Sequence, residues 1–475
     1  MIWWAKQQLR SKDAKSRQRA VEKLLARGGR SAVEAIAGVL GDDDVEVRHT
    51  AAAALGESGE EFAVGPLGAA MRDPYEVVRT AAAKSLGQCG GVPAATLLIA
   101  ALQDPASKVR WQAARSLDEM GWQPAEGVQK AIYLVAQGKH QLAALIGAEA
   151  IDALVLVLRT GAYQERTAAV LALGQISDAR VQKVLITALG DREDQVRCAA
   201  VETLRKLGDH GAATGLMAAL SDSHKNVRAA AAEALSQFNH PQALEPLRRV
   251  LGDRQWEVRH AAAQALGKLR DAAAVDALIG LLGDVEHEVR EQAARALELI
   301  GEPRAIKALV IALKDENSSV RQRAMTALNV LDPKWSQTEA AHAAAPHLQE
   351  ALRHNEYWVR QTAADALARI SQSQTAELRG QRTAQPALSA PVHYGRQAAV
   401  EAFLSMLSDF DRELRAAAAV SLGRLGQTAT IPALTDATKD PDDEVRTLAT
   451  RALALLQNQA GIEGRVVMAA DLNPI

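Results

Sequence analysis

The chain is poor in residues on which several classes of protein depend. Only 3% of its 475 residues are aromatic, which is little for a globular core of this length. It has two cysteines, Cys89 and Cys198, which argues against a disulfide framework and favours a reducing compartment. No stretch approaches the ~20 apolar residues of a transmembrane helix, and the first residues lack the apolar segment of a signal peptide. We therefore expect a cytoplasmic protein without membrane insertion.

An excess of charge of one sign is also missing. The 55 basic and 57 acidic residues leave a net charge of −2. Proteins that bind nucleic acid usually carry an excess of Lys and Arg that neutralises phosphates, so the balance argues against a nucleic-acid partner.

Motifs of common catalytic sites are absent as well. There is no phosphate-binding Gly-x-x-x-x-Gly-Lys-Ser/Thr loop, no Gly-x-Ser-x-Gly turn and no Cys-x-x-Cys pair. The single His-Glu pair, His287-Glu288, is too little for a metal centre. We predict no cofactor, no metal and no enzymatic activity.

What the chain does have is a period. An arginine followed by alanine three residues later and by leucine seven residues later occurs thirteen times, mostly at intervals of 31 residues. The arginines are Arg17, Arg48, Arg79, Arg110, Arg166, Arg197, Arg228, Arg259, Arg290, Arg321, Arg360, Arg415 and Arg446. A fixed period of this length predicts an all-α stack of helix pairs, each of which buries an apolar stripe against its neighbours.

One unit illustrates the pair. Leu244 to Leu251 forms a short amphipathic first helix, and Gly252-Asp253 breaks it. A second helix then runs from about Trp256, and its apolar stripe lies at positions −1, +3, +7 and +10 from the arginine. Positions −3, −2, +1, +2, +5 and +9 are expected to face outward.

An aspartate recurs six residues before the arginine, where it can cap the turn between the two helices. We expect the arginines to pair with carboxylates or carbonyls along the stack, which is a structural role. The predicted ladder consists of Asp42, Arg48, Asp73, Arg79, Asp104, Arg110, Asp191, Arg197, Asp222, Arg228, Asp253, Arg259, Asp284, Arg290, Asp315 and Arg321.

The motif Asp253-Arg-Gln-Trp-Glu-Val-Arg-His-Ala-Ala-Ala-Gln-Ala-Leu-Gly-Lys-Leu269 resembles the HEAT repeat of the short prokaryotic type named after the phycobilisome-lyase family. The resemblance implies a right-handed α-α superhelix, a HEAT/armadillo-like solenoid of about thirteen to fourteen helix pairs over residues 1–457. It leaves two functions open. One is a non-catalytic scaffold that binds protein; the alternative is a bilin lyase or chaperone-type subunit that acts on phycobiliproteins.

Four segments interrupt the period. Residues 122–147 have a helical apolar pattern and predict an inserted helical hairpin. Residues 333–340 and 371–395 predict inserted loops, the longer of them rich in polar residues, and 458–475 predict an irregular tail.

Second helices in such stacks line the concave side, so their outward positions form the candidate groove. The candidates are Trp111, Tyr163, Trp256, His260, Tyr357, Trp358, Arg115, Glu202, Glu233 and Arg295. The aromatic side chains among them either cover the ends of neighbouring helices or anchor a protein partner. We expect a monomer with a protein partner of unknown identity.

Overall fold

The computed structural model describes residues 2–208, 210–380, 400–401, 403–410 and 412–470. Every regular element in these ranges is an α-helix or a short 3-10 helix, which confirms the all-α fold that the period predicts. No described helix is long and apolar enough to cross a bilayer. The chain divides into two compact units, Met1–Phe238 and Asn239–Ile475.

The first unit contains sixteen described α-helices. They are α1 (Ile2–Gln8), α2 (Ala14–Arg27), α3 (Arg30–Ala37), α4 (Val45–Glu57), α5 (Val64–Ala70), α6 (Glu76–Cys89), α7 (Gly91–Ala101), α8 (Ser107–Glu119), α9 (Val128–Ala136), α10 (His140–Ala144), α11 (Ile151–Thr160), α12 (Tyr163–Leu173), α13 (Ala179–Ala188), α14 (Asp194–Leu207), α15 (Ala213–Ala219) and α16 (Lys225–Phe238).

The second unit continues the alternation of short and long helices. Its described helices are α17 (Leu244–Arg249), α18 (Trp256–Lys268), α19 (Val275–Leu281), α20 (His287–Ile300), α21 (Ile306–Ala312), α22 (Ser318–Leu331), α23 (Glu339–Ala351), α24 (Tyr357–Gly380), α25 (Arg412–Leu425), α26 (Ile431–Ala437) and α27 (Asp443–Ala470). Residues 400–401 and 403–406 are helical as well.

The repeated arginine lies on the second helix of each pair, and consecutive second helices pack against one another, as α4 does on α6 and α18 on α20. Local sequence sets where these helices begin and end. Asp44 caps α4 by accepting hydrogen bonds from the N–H groups of Glu46 and Val47. Gly301 ends α20 in the left-handed region, at a φ of 82°, which a glycine adopts without steric cost.

The second helices are buried more widely than one stripe. Val258, Ala262 and Leu266 of α18 are fully buried, as the pattern predicts. Position +2 was expected to face outward, yet Gln112 and Gln292 are buried there. The reason is that α8 packs on α6, α7 and α9, and α20 packs on α18, α19 and α22, so each of these second helices is covered on several sides.

A seam of small residues joins consecutive second helices. In five of the thirteen repeats the residue at position +8 is a glycine, and there it faces position +6 of the next second helix. A Cβ atom built on Gly267 would lie 2.7 Å from the Cα atom of Ala296, and one built on Gly87 would lie 2.6 Å from the Cβ atom of Ser116. The Ser116 hydroxyl also donates a hydrogen bond of 3.0 Å to the carbonyl of Ala83 on the preceding second helix. Side chains larger than hydrogen at +8 would force these helices apart.

The interruptions of the period take defined forms. The segment 122–147 holds the two short helices α9 and α10, at the place where the sequence predicts a hairpin. In the segment 333–340, Trp335 is only 1% exposed and donates a hydrogen bond from Nε1 to Asn329, so this insertion adds a core residue and is not an open loop.

Two predictions of irregular backbone differ from the structure. Helix α24 extends to Gly380, so residues 371–380 are helical, while 381–399 lie outside the described residues. Helix α27 extends to Ala470, so most of the predicted tail is helical too. Neither stretch contains a proline, and Gln, Glu, Ala and Arg are good helix formers; the two glycines of the second stretch, Gly461 and Gly464, weaken the helix without ending it.

The seam yields a stability prediction. Gly267→Ala places a methyl group against the backbone of α20, and we expect it to destabilise the fold by about 1–3 kcal/mol. Gly280→Ala is the control, because Gly280 also lies in a helix but has open space around its Cα atom, and alanine there should raise stability by up to about 1 kcal/mol. Urea denaturation followed by circular dichroism measures both. Equal effects of the two substitutions would contradict the close packing.

Candidate binding face and the arginine ladder

The repeated arginines join consecutive turns through ion pairs. In each described pair, Nε and Nη2 of the arginine donate to the two carboxylate oxygens of an aspartate 25 residues later, over 2.6–3.2 Å. The pairs are Arg17–Asp42, Arg48–Asp73, Arg79–Asp104, Arg166–Asp191, Arg197–Asp222, Arg259–Asp284, Arg290–Asp315 and Arg415–Asp440.

The third guanidinium nitrogen, Nη1, binds backbone carbonyls that precede the arginine in the chain. Nη1 of Arg48 donates to the carbonyl of Asp42, over 2.8 Å, while the Asp42 carboxylate accepts the backbone N–H of Asp44. The arginine of each of these eight pairs therefore binds the turn that precedes its own helix and the turn of the next repeat. In the same way, Nη1 of Arg228 donates to the carbonyl of Asp222, and the carboxylate of Asp253 accepts the N–H of Gln255.

These contacts lower the pKa of six of the ladder carboxylates, Asp42, Asp73, Asp191, Asp222, Asp284 and Asp440. Burial works to raise the pKa of Asp222, but the hydrogen bonds from Arg197 and from the N–H of His224 outweigh it and hold that pKa below its ordinary value. For Asp440 the hydrogen bond from Arg415 is the largest influence, and the pKa is again lowered. The aspartates are thus acceptors of charge-assisted hydrogen bonds, which are the stronger kind.

Two ladder arginines differ from the others. Among the described residues, no carboxylate forms an ion pair with Arg110 or Arg321. Val135 lies 25 residues after Arg110, on the inserted helix α9, and His354 occupies the turn position of the aspartate that would pair with Arg321. His354 takes over only the bond within the turn, since its Nδ1 accepts the N–H of Glu356 over 3.1 Å.

The candidate groove residues lie on second helices and remain accessible to different degrees. Trp358 is 57% and Trp111 48% exposed, and Tyr163 is also exposed. Trp256, His260 and Tyr357 are half-buried. Of the charged candidates, Arg115, Glu233 and Arg295 are exposed, and Glu202 is half-buried.

Ring contacts link some of these side chains but not all of them. The guanidinium of Arg115 lies 5.5 Å from the ring centre of Trp111. Tyr357 and Trp358 are 4.6 Å apart between ring centres, and Trp256 meets His260 edge to face at 6.4 Å. Glu202 pairs with Arg205 on its own helix, over 2.7 Å. Ring contacts therefore join Trp111 with Arg115 in the first unit, and Tyr357 with Trp358 and Trp256 with His260 in the second.

A cavity of about 400 Å³ lies beside Trp111, and reasoning from the sequence missed it. Its walls come from α6, α8, the inserted hairpin and α12, and include Thr80, Lys108, Arg110, Gln137, His140 and Glu165. His140 is buried, and burial lowers its pKa, opposed by the charge of Glu165. The sequence signal that could have revealed it is Val135, which stands where other repeats have the paired aspartate.

Other reactive groups do not assemble into a centre in the part of the chain that the structure describes. No cluster there contains three or more His, Cys, Asp or Glu side chains that could hold a metal ion. Cys89 and Cys198 are half-buried free thiols, and burial raises the pKa of both.

Comparison with known proteins identifies the repeats. The family model described as HEAT repeats matches most of the chain, over residues 4–87, 64–137, 151–224, 213–298, 252–329, 275–368 and 380–454. No curated protein matches.

Several solved structures are similar at low identity. An engineered protein is 22% identical over 90% of this chain and 98% of its own, with a TM-score of 0.34. The complex of CpcE and CpcF of phycocyanin lyase from Nostoc sp. PCC7120 is 22% identical over 58% of this chain and 94% of that one, with a TM-score of 0.30. Importin beta is 13% identical over 96% of this chain and 67% of its own, with a TM-score of 0.39. Likenesses this distant carry no argument about what this chain binds.

The ladder predicts unequal costs for equivalent substitutions. Arg197→Met should destabilise the protein by about 3 kcal/mol, because it leaves the largely buried carboxylate of Asp222 without its cation. Arg110→Met should cost less than about 1 kcal/mol, since it leaves no carboxylate behind. Both variants lose the same Nη1 bonds to backbone carbonyls, so the difference in urea denaturation isolates the ion pair. Equal losses would contradict the assignment.

The ladder also predicts a dependence on pH. The pKa values of Asp42, Asp73, Asp191, Asp222, Asp284 and Asp440 are lowered from the ordinary 3.8. A depressed pKa contributes stability that is present above the unfolded value and lost as the pH falls through the folded value. The melting temperature should therefore drop below pH about 4, and the gap between wild type and Asp222→Asn should close there. A gap that stays constant down to pH 2 would contradict this.

Proposed function

Because the chain belongs to the HEAT-repeat family, we propose that it is a non-catalytic scaffold that binds a protein partner through the second helices of its repeats. The observation that carries the proposal is the exposure of Trp111 and Trp358 on these helices. Water-exposed indoles contribute little to a folded core, whereas at an interface each can bury about 150–250 Å².

The surroundings of the two indoles fit such a role. Arg115 lies against the ring of Trp111, and Tyr357 against that of Trp358, so both side chains are supported before a partner arrives. Side chains that are already ordered lose less conformational entropy on binding. Trp, Tyr and Arg are also the residues on which binding energy most often concentrates.

The ladder supplies the rigid frame that this role needs. Arg79 and Asp104 tie α6 to the turn before α8, and thereby hold the backbone from which Trp111 projects. Within the first unit, a backbone held in this way presents Trp111 and Arg115 to a partner in one arrangement.

The proposal predicts a selective loss of binding. Trp111→Ala or Trp358→Ala should reduce recovery of a protein partner roughly tenfold or more, because a buried indole is a typical hot spot. The measurement is affinity purification from lysate of the source organism with quantitative mass spectrometry. Trp3→Ala is the matched control, since Trp3 is 72% exposed but lies on α1, outside the repeated second helices.

Circular dichroism must show unchanged helicity in all three variants. Loss of the fold in Trp111→Ala and Trp358→Ala would assign these indoles to packing and overturn the proposal. The bilin-lyase alternative makes a different prediction: a linear tetrapyrrole added to the wild-type protein would bind and change its absorbance spectrum. Such a change would favour that alternative over a scaffold.

A further inference from the structure

Arg110 is a ladder arginine with half of its hydrogen-bonding capacity unused. Its Nη1 donates to the carbonyls of Asp104 and Pro105, over 2.8 and 2.9 Å, and lies 3.3 Å from the hydroxyl oxygen of Thr160. In the preceding repeat, Arg79 makes the equivalent carbonyl bonds and also binds a carboxylate through Nε and Nη2. The corresponding edge of Arg110 forms no ion pair within the described residues.

Burial makes this unused edge costly. Arg110 is only 3% exposed, and burial lowers its pKa, opposed by the charges of Glu165 and Asp104. The carbonyls of Asp104 and Pro105 compensate Nη1 for lost hydration, but no hydrogen bond within the described residues does so for Nε and Nη2. The fold therefore contains a preformed guanidinium that an anion would stabilise.

The cavity beside Arg110 offers access to an anion of this kind. Lys108 and His140 line it together with Arg110, and Glu165 is its one acidic wall residue. Glu165 is already engaged, because its Oε2 accepts the N–H of Ala162 over 3.1 Å. Lys108 pairs over 3.5 Å with Glu76, a contact between two largely exposed side chains that is worth little.

The other walls fit a peptide better than a bare ion. Trp111, Val135 and Ala136 provide apolar surface, and about 400 Å³ exceeds the volume of a single carboxylate group. Oε1 of Gln137 is buried without a hydrogen-bond donor, although its Nε2 donates to Asp118. A ligand that brings both a carboxylate and an N–H group would satisfy Arg110 and Gln137 together.

We propose that this cavity binds the side-chain carboxylate of an Asp or Glu carried by a protein partner. The guanidinium of Arg110 takes it through Nε and Nη2, as the other ladder arginines take their aspartates. The indole of Trp111 covers the adjoining part of the partner chain. The protein source of the carboxylate rests on the proposed function; the carboxylate site itself does not.

The test uses the full-length protein labelled with 5-fluorotryptophan and two probe peptides, acetyl-Ala-Glu-Ala-amide and its Gln counterpart. The ¹⁹F resonance of Trp111 is assigned by its disappearance in Trp111→Phe. We expect the Glu peptide to shift this resonance saturably, and the Gln peptide to bind at least about tenfold more weakly, because it lacks the charge. Equal shifts by the two peptides, or no saturable shift, would overturn the proposal.

Variants separate a specific site from general attraction. Arg110→Met should abolish the Glu-dependent shift, and Arg110→Lys should weaken it about tenfold because an ammonium group cannot bind in two-pronged fashion. Arg321→Met is the matched control: Arg321 is the other ladder arginine without a carboxylate, and it does not line this cavity, so its loss should leave the shift unchanged. A shift that survives in Arg110→Met contradicts the assignment.

A further arm identifies the source of the carboxylate. Sodium acetate and sodium succinate should bind at least about tenfold more weakly than the Glu peptide, because neither contacts Gln137 through a peptide N–H. Equal binding would overturn a protein-borne ligand in favour of a small carboxylate. If a partner is lost in Trp111→Ala but retained in Arg110→Met, this inference fails while the proposed scaffold function stands.

Discussion

The remainder of the structure depends on the three-way contact that eight of the repeated arginines make. One nitrogen binds the turn before its own helix, and the other two bind the aspartate of the following turn. Neighbouring repeats therefore cannot slide past each other without breaking both sets of bonds. We infer that this contact specifies spacing more than it adds net stability, since a buried ion pair seldom outperforms well-packed apolar side chains.

Because the ladder fixes the spacing of neighbouring repeats, their second helices can pack closely along the seam of small residues. With helices held at one register, Gly267 can lie directly against Ala296, and Ser116 can reach the carbonyl of Ala83. This explains why the chain needs so few aromatic residues for its core. The exception is Trp335, which is buried where an insertion interrupts the period.

The sequence predicts the features that recur in every repeat, such as the buried apolar positions. It does not predict the structure at the insertions, where the repeat is interrupted. Val258 and Leu266 are buried as expected, because helical periodicity alone places them. The arginine–aspartate spacing left the partner open: the aspartate six residues before and the one 25 residues after are equally regular in the sequence, and only the stacking decides that the carboxylate comes from the latter. The cavity at Arg110 depends on how α9 and α10 sit against α8, which no local pattern encodes. The helical stretch after Ile370 was missed because its polar composition suits both loops and exposed helices, and the one after Gln457 because it leaves the repeat pattern and contains two glycines.

Within the described residues, the arginine–aspartate ion pair is missing at Arg110 and Arg321, and this also affects how the repeats unfold. In a linear repeat array, each repeat stabilises only its neighbours. A junction with fewer bonds between repeats is therefore a boundary between two groups of repeats that each unfold cooperatively. Consecutive arginine–aspartate pairs connect α2 through to Asp104, in the turn before α8. A second series of pairs connects α18 through to Asp315, in the turn before α22. Amide hydrogens on the two sides of each interruption should then exchange with solvent as separate groups. The junction at which Arg110 has no ion-pair partner is thus also the boundary between two groups of repeats that unfold separately. A ligand that bound Arg110 there would make the two groups unfold together.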